Sequence, residues 1–176
     1  MSNHSTFRID PGAEPVVRTP TVLLAFIAIV SSVALAAALV SQHRFGMEPC
    51  AWCVLQRLIF IVLAVVALVG LAWRSPLGAR VSTFLTMLLA DLGIAAAAWQ
   101  HFVAARSDSC KLTFADRVIE ATGLGRLLPD VFEARANCAE AAVDLLGVPY
   151  AYWSGGLFIV IAIAAGLAFA RSLAPR

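Results

Sequence analysis

Four cysteines are the side chains best suited to do chemistry in this chain: Cys50, Cys53, Cys110 and Cys138. Cys50-Ala51-Trp52-Cys53 is a C-x-x-C, a spacing used by dithiol redox pairs, zinc sites and haem attachment. Haem attachment requires His directly after the second cysteine, and Val54 stands there instead. Pro49 precedes the pair and an unbroken helical pattern follows it, which places the cysteines at a helix N-terminus. Unsatisfied N–H groups there lower a thiol's pKa and favour its thiolate. Arg57 follows four residues after Cys53 inside an otherwise apolar run. Residues four apart share a helix face, about 6 Å apart along the axis, so the guanidinium is placed to stabilise a Cys53 thiolate or to donate to a nearby acceptor. The plain alternative is an interfacial arginine that snorkels to lipid phosphates. Cys110 and Cys138 lie 28 residues apart in a polar, glycine-containing stretch with Asn137 beside Cys138. Either they form a structural staple, worth about 3–4 kcal/mol by loop closure, or they are a second redox pair on an accessible loop.

The elements that must position these residues are membrane helices. Of 176 residues, 61% are hydrophobic and 14% charged, against about 25% charged in a soluble domain. Four apolar stretches, Thr21–Val40, Val54–Trp73, Ser82–Val103 and Ala151–Ala170, each have 20 to 22 residues. At about 1.5 Å per residue each reaches across the roughly 30 Å hydrocarbon core of a bilayer. The fold class expected is an all-α membrane protein, a four-transmembrane-helix bundle in one domain. Its two loops, residues 41–53 and 104–150, share one side. A cleaved signal peptide is the rival for the first stretch, but a signal's apolar region is shorter, about 7–15 residues. A net charge of +2 and the lack of a basic, aromatic-interleaved patch argue against a nucleic-acid partner.

Lys and Arg divide six and six between the two sides, so the positive-inside count is tied, although charge density weakly favours cytoplasmic termini. Cysteine placement decides the orientation. All four fall in the two loops that share a side, and paired thiols become disulfides only in an oxidising compartment. Those loops are expected to be periplasmic, with both termini cytoplasmic.

The order C-x-x-C, Arg four residues on, then two separated cysteines before a fourth span resembles the DsbB family, bacterial inner-membrane proteins that reoxidise DsbA with a quinone. Gln42-His43 ahead of Pro49-Cys50, His101 at the end of the third span and Cys138-Ala139-Glu140 before the fourth extend the likeness over roughly residues 42–156. Between Cys110 and Cys138 only the cysteines and the general layout match. The resemblance implies that a DsbA-like periplasmic partner attacks Cys110 and that Cys138 pairs with Cys50 during the relay. It also implies that Cys53 becomes the thiolate beside a quinone (ubiquinone or menaquinone), with Arg57 holding it and His101 nearby. Energetics agree with a strong acceptor. DsbA sits near −120 mV and ordinary structural disulfides below about −300 mV, so a structural-type Cys50–Cys53 would take electrons uphill by ~180 mV, on the order of 8 kcal/mol.

The remaining residues carry weaker expectations. Asp91 sits near the middle of the third span, and such acids are expected to face the bundle interior or a cavity. Phe114, Val118, Ala121, Leu124 and Leu128 recur at helical spacing and predict a short helix lying on the membrane surface. Ala34, Ala36 to Ala38, Ala95 to Ala98, Gly155 and Gly156 supply small residues for close helix packing. Two other functions compete with the oxidase: a periplasmic zinc or structural-disulfide protein, and a transporter using Asp91 and Arg57. Zinc ribbons want two closely spaced pairs, which Cys110 and Cys138 are not. A transporter would show a repeat or a pair of broken spans, and neither is present. A quinone-linked oxidase of a different thioredoxin-fold partner remains open, since the long loop would choose the partner.

Overall fold

The computed structural model describes residues 18–73, 75–106 and 113–173. Four long helices carry the architecture: α1 (Arg18–Phe45), α2 (Ala51–Ala72), α3 (Pro76–Phe102) and, after a 3-10 turn (Ala104–Arg106), three short α-helices and a hairpin among the described residues, α7 (Tyr150–Leu173). Each is long and apolar enough to cross a membrane. The chain is a four-helix membrane protein.

Helix ends follow local chemistry, and two lie several residues outside the apolar stretches. α1 continues through Gln42 and His43 to Phe45, so these two residues stand on a helix where a loop was expected. It stops at Gly46, whose left-handed backbone (φ 65°) lets its N–H bond the Gln42 carbonyl. α3 starts early, because Ser75 caps it by accepting from the Gly78 N–H at 2.9 Å and Pro76 occupies its first turn. Residues 76–80, which the apolar stretches leave between the second and third spans, are therefore helix.

The helices are arranged in the ring α1–α2–α3–α7, with α7 packing on both α3 and α1. The central core comprises Leu24, Ile27, Phe60, Leu63, Ala90, Phe158 and Ile161, with their neighbours. Phe60 and Phe158 stack nearly parallel, ring centroids 4.1 Å apart. Gly93 makes this possible: a Cβ there would stand 2.4 Å from the Phe158 ring. Gly70 plays the same part toward Ser82, at 2.5 Å. Of the small residues singled out by sequence, Ala34, Ala96 and Ala97 are buried, and a Cβ at Gly155 would come into van der Waals contact with Ala97. Ala95 and Ala98 face outward, and Gly156 has open space where a Cβ would point.

Asp91 also departs from expectation. It is exposed on the outer face of α3, one residue (about 100° of helix rotation) from the fully buried Ala90.

A second core forms at the cysteine end. α4 (Phe114–Thr122) is opened by a capping box, in which the Asp116 N–H reaches Thr113 Oγ1 and Asp116 Oδ2 accepts from the Thr113 N–H at 2.8 Å. It closes at left-handed Gly123 (φ 66°). Its inward face is Ala115 and Ile119, packed against α2, while Phe114, Leu127 and Leu128 are exposed. The helix exists where the spacing predicted one. The face it buries, however, is turned from the predicted stripe, and Gly123 ends it before Leu124 and Leu128. Two four-residue helices follow, α5 (Leu124–Leu127) and α6 (Pro129–Phe132). The two-residue strands β1 (Asp144–Leu145) and β2 (Val148–Pro149) then pair antiparallel. Their turn residues Leu146 (φ 57°) and Gly147 (φ 77°) both take positive φ, as a tight hairpin requires.

Candidate redox site

Cys50 is the N-cap of α2. Its extended backbone (φ −85°, ψ 171°) turns Sγ back to accept the Cys53 N–H at 3.4 Å. Serine or aspartate usually caps in this way, and here a thiol takes the role. One turn of helix brings the two sulfurs to 3.1 Å, within hydrogen-bonding contact. Cys138, 2% exposed, reaches the same point from the long loop and hydrogen-bonds Cys50. That contact, then Cys53, then burial push the Cys50 thiol far above the ordinary thiol range. Cys50 is thus a protonated thiol with a sulfur on either side.

The long loop is tied to this position by its backbone. The N–H groups of Arg135 and Ala136 both donate to the Pro49 carbonyl, at 2.9 and 3.2 Å. Asn137 and Glu140 bracket Cys138 reciprocally: the Glu140 N–H bonds Asn137 Oδ1 at 2.8 Å, and the Asn137 N–H bonds Glu140 Oε2 at 3.2 Å. Phe132 is buried with Cys50 and Cys138 in one apolar cluster. Cys110 lies outside the described residues.

Arg57 is buried, 6% exposed. Nη1 donates to Gln42 Oε1 at 2.7 Å and to the Val131 carbonyl at 3.1 Å, and Nη2 donates to the Ala38 carbonyl at 3.5 Å. Snorkelling to a lipid surface is therefore overturned, since the guanidinium is held by α1 on one side and by α6 on the other. These bonds use three of its five N–H groups. The side chain also lines a cavity of about 210 Å³.

That cavity is bounded by α1, α2, α3 (through Gln100), α7 and the loops before α2 and α7, and its wall includes Cys53, Gln56, Arg57, Gln100 and Tyr150. Ala34, Ala37 and Ala38 contribute small apolar side chains to the same wall. An apolar chamber with a few convergent donors suits a planar ring bearing carbonyl acceptors, so the donor set fits a quinone head. His101 is not on this wall. Its ring packs on Tyr152 with centroids 4.5 Å apart and edge-on to Phe102 at 4.9 Å.

Two residues that sequence reasoning passed over are central. Gln100 Nε2 donates to Cys53 Sγ at 3.1 Å, and Gln56 Nε2 donates to Gln100 Oε1. A buried amide inside an apolar span was the available signal, because polar groups at membrane depth are costly. Gln56 even adjoins Arg57.

The family model described as "Disulfide bond formation protein DsbB" matches residues 20–168, which span all four long helices and the cysteine end. The chain belongs to the DsbB family. Curated relatives agree in name and extent. Disulfide bond formation protein B of Verminephrobacter eiseniae is 35% identical over 90% of this chain and 94% of its own. The protein of that name from Polaromonas naphthalenivorans is 33% identical over 89% and 95%. The one from Burkholderia pseudomallei is 29% identical over 85% and 89%. As a DsbB-family member, the chain is a multi-pass membrane protein of disulfide bond formation, with a disulfide oxidoreductase's role. The three neighbouring sulfurs are its candidate redox centre.

Proposed function

We propose that the chain is a protein-dithiol:quinone oxidoreductase of the bacterial inner membrane, with periplasmic loops and cytoplasmic termini. It reoxidises a DsbA-like thioredoxin-fold protein and passes the electrons through Cys110–Cys138 and then Cys50–Cys53 to ubiquinone or menaquinone. One observation carries the reading: Cys50 contacts Cys138 on one side and Cys53 on the other, while Cys53 also lines the cavity beside Arg57.

Chemically, this order of sulfurs suits thiol–disulfide exchange. The partner's thiolate attacks Cys110 of the Cys110–Cys138 disulfide, a bond forms between the partner and Cys110, and Cys138 leaves as a thiolate. That thiolate attacks Cys50 of the Cys50–Cys53 disulfide. A Cys138–Cys50 bond forms, the Cys50–Cys53 bond breaks, and its electron pair departs on Cys53. Cys53 is a good leaving group, since its charge arises beside the Gln100 amide N–H and the Arg57 guanidinium. The partner's second thiolate then attacks the partner–Cys110 bond, closing the partner's disulfide and releasing Cys110 as a thiolate. That thiolate attacks Cys138 to re-form Cys110–Cys138 and release Cys50. A quinone, when bound, supplies the final two-electron acceptor. Arg57 and Cys53 are the polar wall groups that would face its head, while Gln100 keeps its N–H end on the sulfurs. His101, one residue from Gln100 but packed on Tyr152, is a neighbour of the site.

The test is anaerobic mixing of the purified protein with a reduced DsbA-like protein and a quinone, following quinone absorbance. Quinone should be reduced in step with dithiol oxidation. A quinone spectrum that stays unchanged while the partner remains reduced rejects the proposal.

A further inference from the structure

Gln56 on α2 and Gln100 on α3 are each almost fully buried, at 4% exposure, where the two helices meet beneath the cysteines. Buried amides cost free energy unless both ends are bonded. Here the bonding runs one way: Gln56 Nε2 donates to Gln100 Oε1, and Gln100 Nε2 points at sulfur, 3.1 Å from Cys53 Sγ and 3.7 Å from Cys50 Sγ. The donor from Gln56 fixes the orientation of the second amide. A flipped Gln100 would set two NH2 groups face to face and turn a carbonyl oxygen toward the sulfurs. Neutral sulfur is a weak acceptor, whereas an anionic acceptor makes a bond roughly twice as strong. The amide therefore favours negative charge on whichever sulfur it touches, and it is closer to Cys53.

We propose that Gln100 is a catalytic thiolate clamp that directs charge onto Cys53 when the Cys50–Cys53 disulfide opens, and that Gln56 is the positioning residue that keeps its N–H end on the sulfurs. The inference rests on the proposed relay for its purpose. The clamp itself concerns only the dithiol, and an uncharged donor suits a site that must also hold the neutral disulfide. Cys53 lines the cavity, so a small alkylating reagent has a path to it.

The experiment uses the full-length reduced protein in detergent, with no quinone and no partner present. Iodoacetamide labelling of Cys53 is followed against pH by peptide mass spectrometry in wild type, Gln100→Met, Gln56→Met and Gln56→Glu. Gln100→Met keeps the length but removes the donor, so its labelling midpoint should rise by about 1–2 pH units, a ten- to hundredfold smaller thiolate fraction. Gln56→Met only loosens the amide and should give a smaller rise. Gln56→Glu accepts instead of donating, so Gln100 should turn its carbonyl to sulfur and the midpoint should rise as far as in Gln100→Met, although Gln100 is intact. Because the new carboxylate also repels a thiolate, Gln56→Glu is repeated in the Gln100→Met background, where only its charge acts. The clamp requires a smaller rise there than in wild type, and a purely structural role gives equal rises. Coinciding profiles for Gln100→Met and wild type, or a Gln56→Glu midpoint at or below wild type, would overturn the clamp. Failure of wild-type protein to reduce quinone in the separate turnover assay would instead reject the relay and leave this ordering unaffected.

Discussion

Arg57 Nη1 and Gln42 Oε1 are joined at 2.7 Å across the interface between α2 and α1, so the charge beside the cavity is braced from a neighbouring helix. The same nitrogen holds the Val131 carbonyl of the long loop. Arg57→Met should therefore do two things. It should lower kcat/KM for quinone roughly ten- to hundredfold, the worth of one charge-assisted hydrogen bond. It should also destabilise the fold by about 1–3 kcal/mol, because acceptors on α1 and α6 lose their donor. Arg57→Lys should recover only part of the rate, since an ammonium lacks the planar fork. Quinone-titrated steady-state rates, taken well below each variant's Tm, separate the effects. An unchanged KM in Arg57→Met would remove the guanidinium from the quinone site.

Cys50 gives a pH prediction. Its thiol lies above the ordinary range mainly through the hydrogen bond to Cys138. A raised thiol pKa means that the folded, reduced protein keeps a proton that the unfolded chain gives up above about 8.5. The associated stability is fully present below that pH and is lost progressively as pH rises beyond it. Cys138→Ser replaces the principal cause with a differently bonded hydroxyl. Alkylation of Cys50 should then begin at lower pH than in wild type, and the alkaline decline in stability should shrink. Melting curves of the reduced proteins from pH 7 to 10 check the second point. Identical pH slopes for the two proteins would disprove it.

Four apolar runs made the bundle legible, because no soluble core of this size needs helices of that length. The helix ends were less legible. α1 gains a turn past the apolar run because Gly46, not hydropathy, terminates it. Asp91 was misplaced because depth was read without rotation. Thr83, Thr86, Ala90, Gly93, Ala97 and Gln100 trace the buried stripe of α3, and Asp91 lies off that stripe. Within the site, cysteine spacing located one pair; that Cys138 meets Cys50, 88 positions away, was implied by the family resemblance and not by spacing, and the fold brings the two sulfurs into contact. The glutamines were hidden for a different reason. An uncharged amide in an apolar run carries no pattern of its own, and its meaning appears only when α2 and α3 set Gln56 against Gln100.

Close packing makes a prediction that discriminates among the glycines. A Cβ at position 93 would meet the Phe158 ring at 2.4 Å, whereas one at position 156 meets nothing within 4 Å. Gly93→Ala should force the Phe60–Phe158 stack apart and cost about 1–3 kcal/mol, as overpacking typically does. Gly156→Ala should be neutral or slightly stabilising, since alanine is the better helix former. Thermal unfolding in one detergent compares them directly. Equal Tm values would mean that the Phe158 ring has room the structure does not give it.

The final prediction addresses the order of exchange at Cys138. Its sulfur is buried against Cys50, a poor position from which to meet a bulky soluble partner and a good one from which to attack Cys50. Cys110 should therefore be the partner-facing thiol. With Cys138→Ser, Cys110 is left as a free thiol whose thiolate attacks the oxidised partner's disulfide, one partner sulfur bonding Cys110 and the other leaving as a thiolate. No Cys138 thiol is present to resolve the adduct, so a mixed disulfide between the partner and Cys110 should accumulate. With Cys110→Ser the adduct should fail to form, while Cys50–Cys53 is still oxidised by quinone. Cys50→Ser or Cys53→Ser should abolish quinone reduction with the protein still folded. Non-reducing gels of each reduced loop-cysteine variant mixed with oxidised partner, followed by peptide mapping of any adduct, distinguish these outcomes. An adduct that forms on Cys138 in the Cys110→Ser protein would reverse the two roles, because it would require the buried sulfur to be the one the partner reaches first.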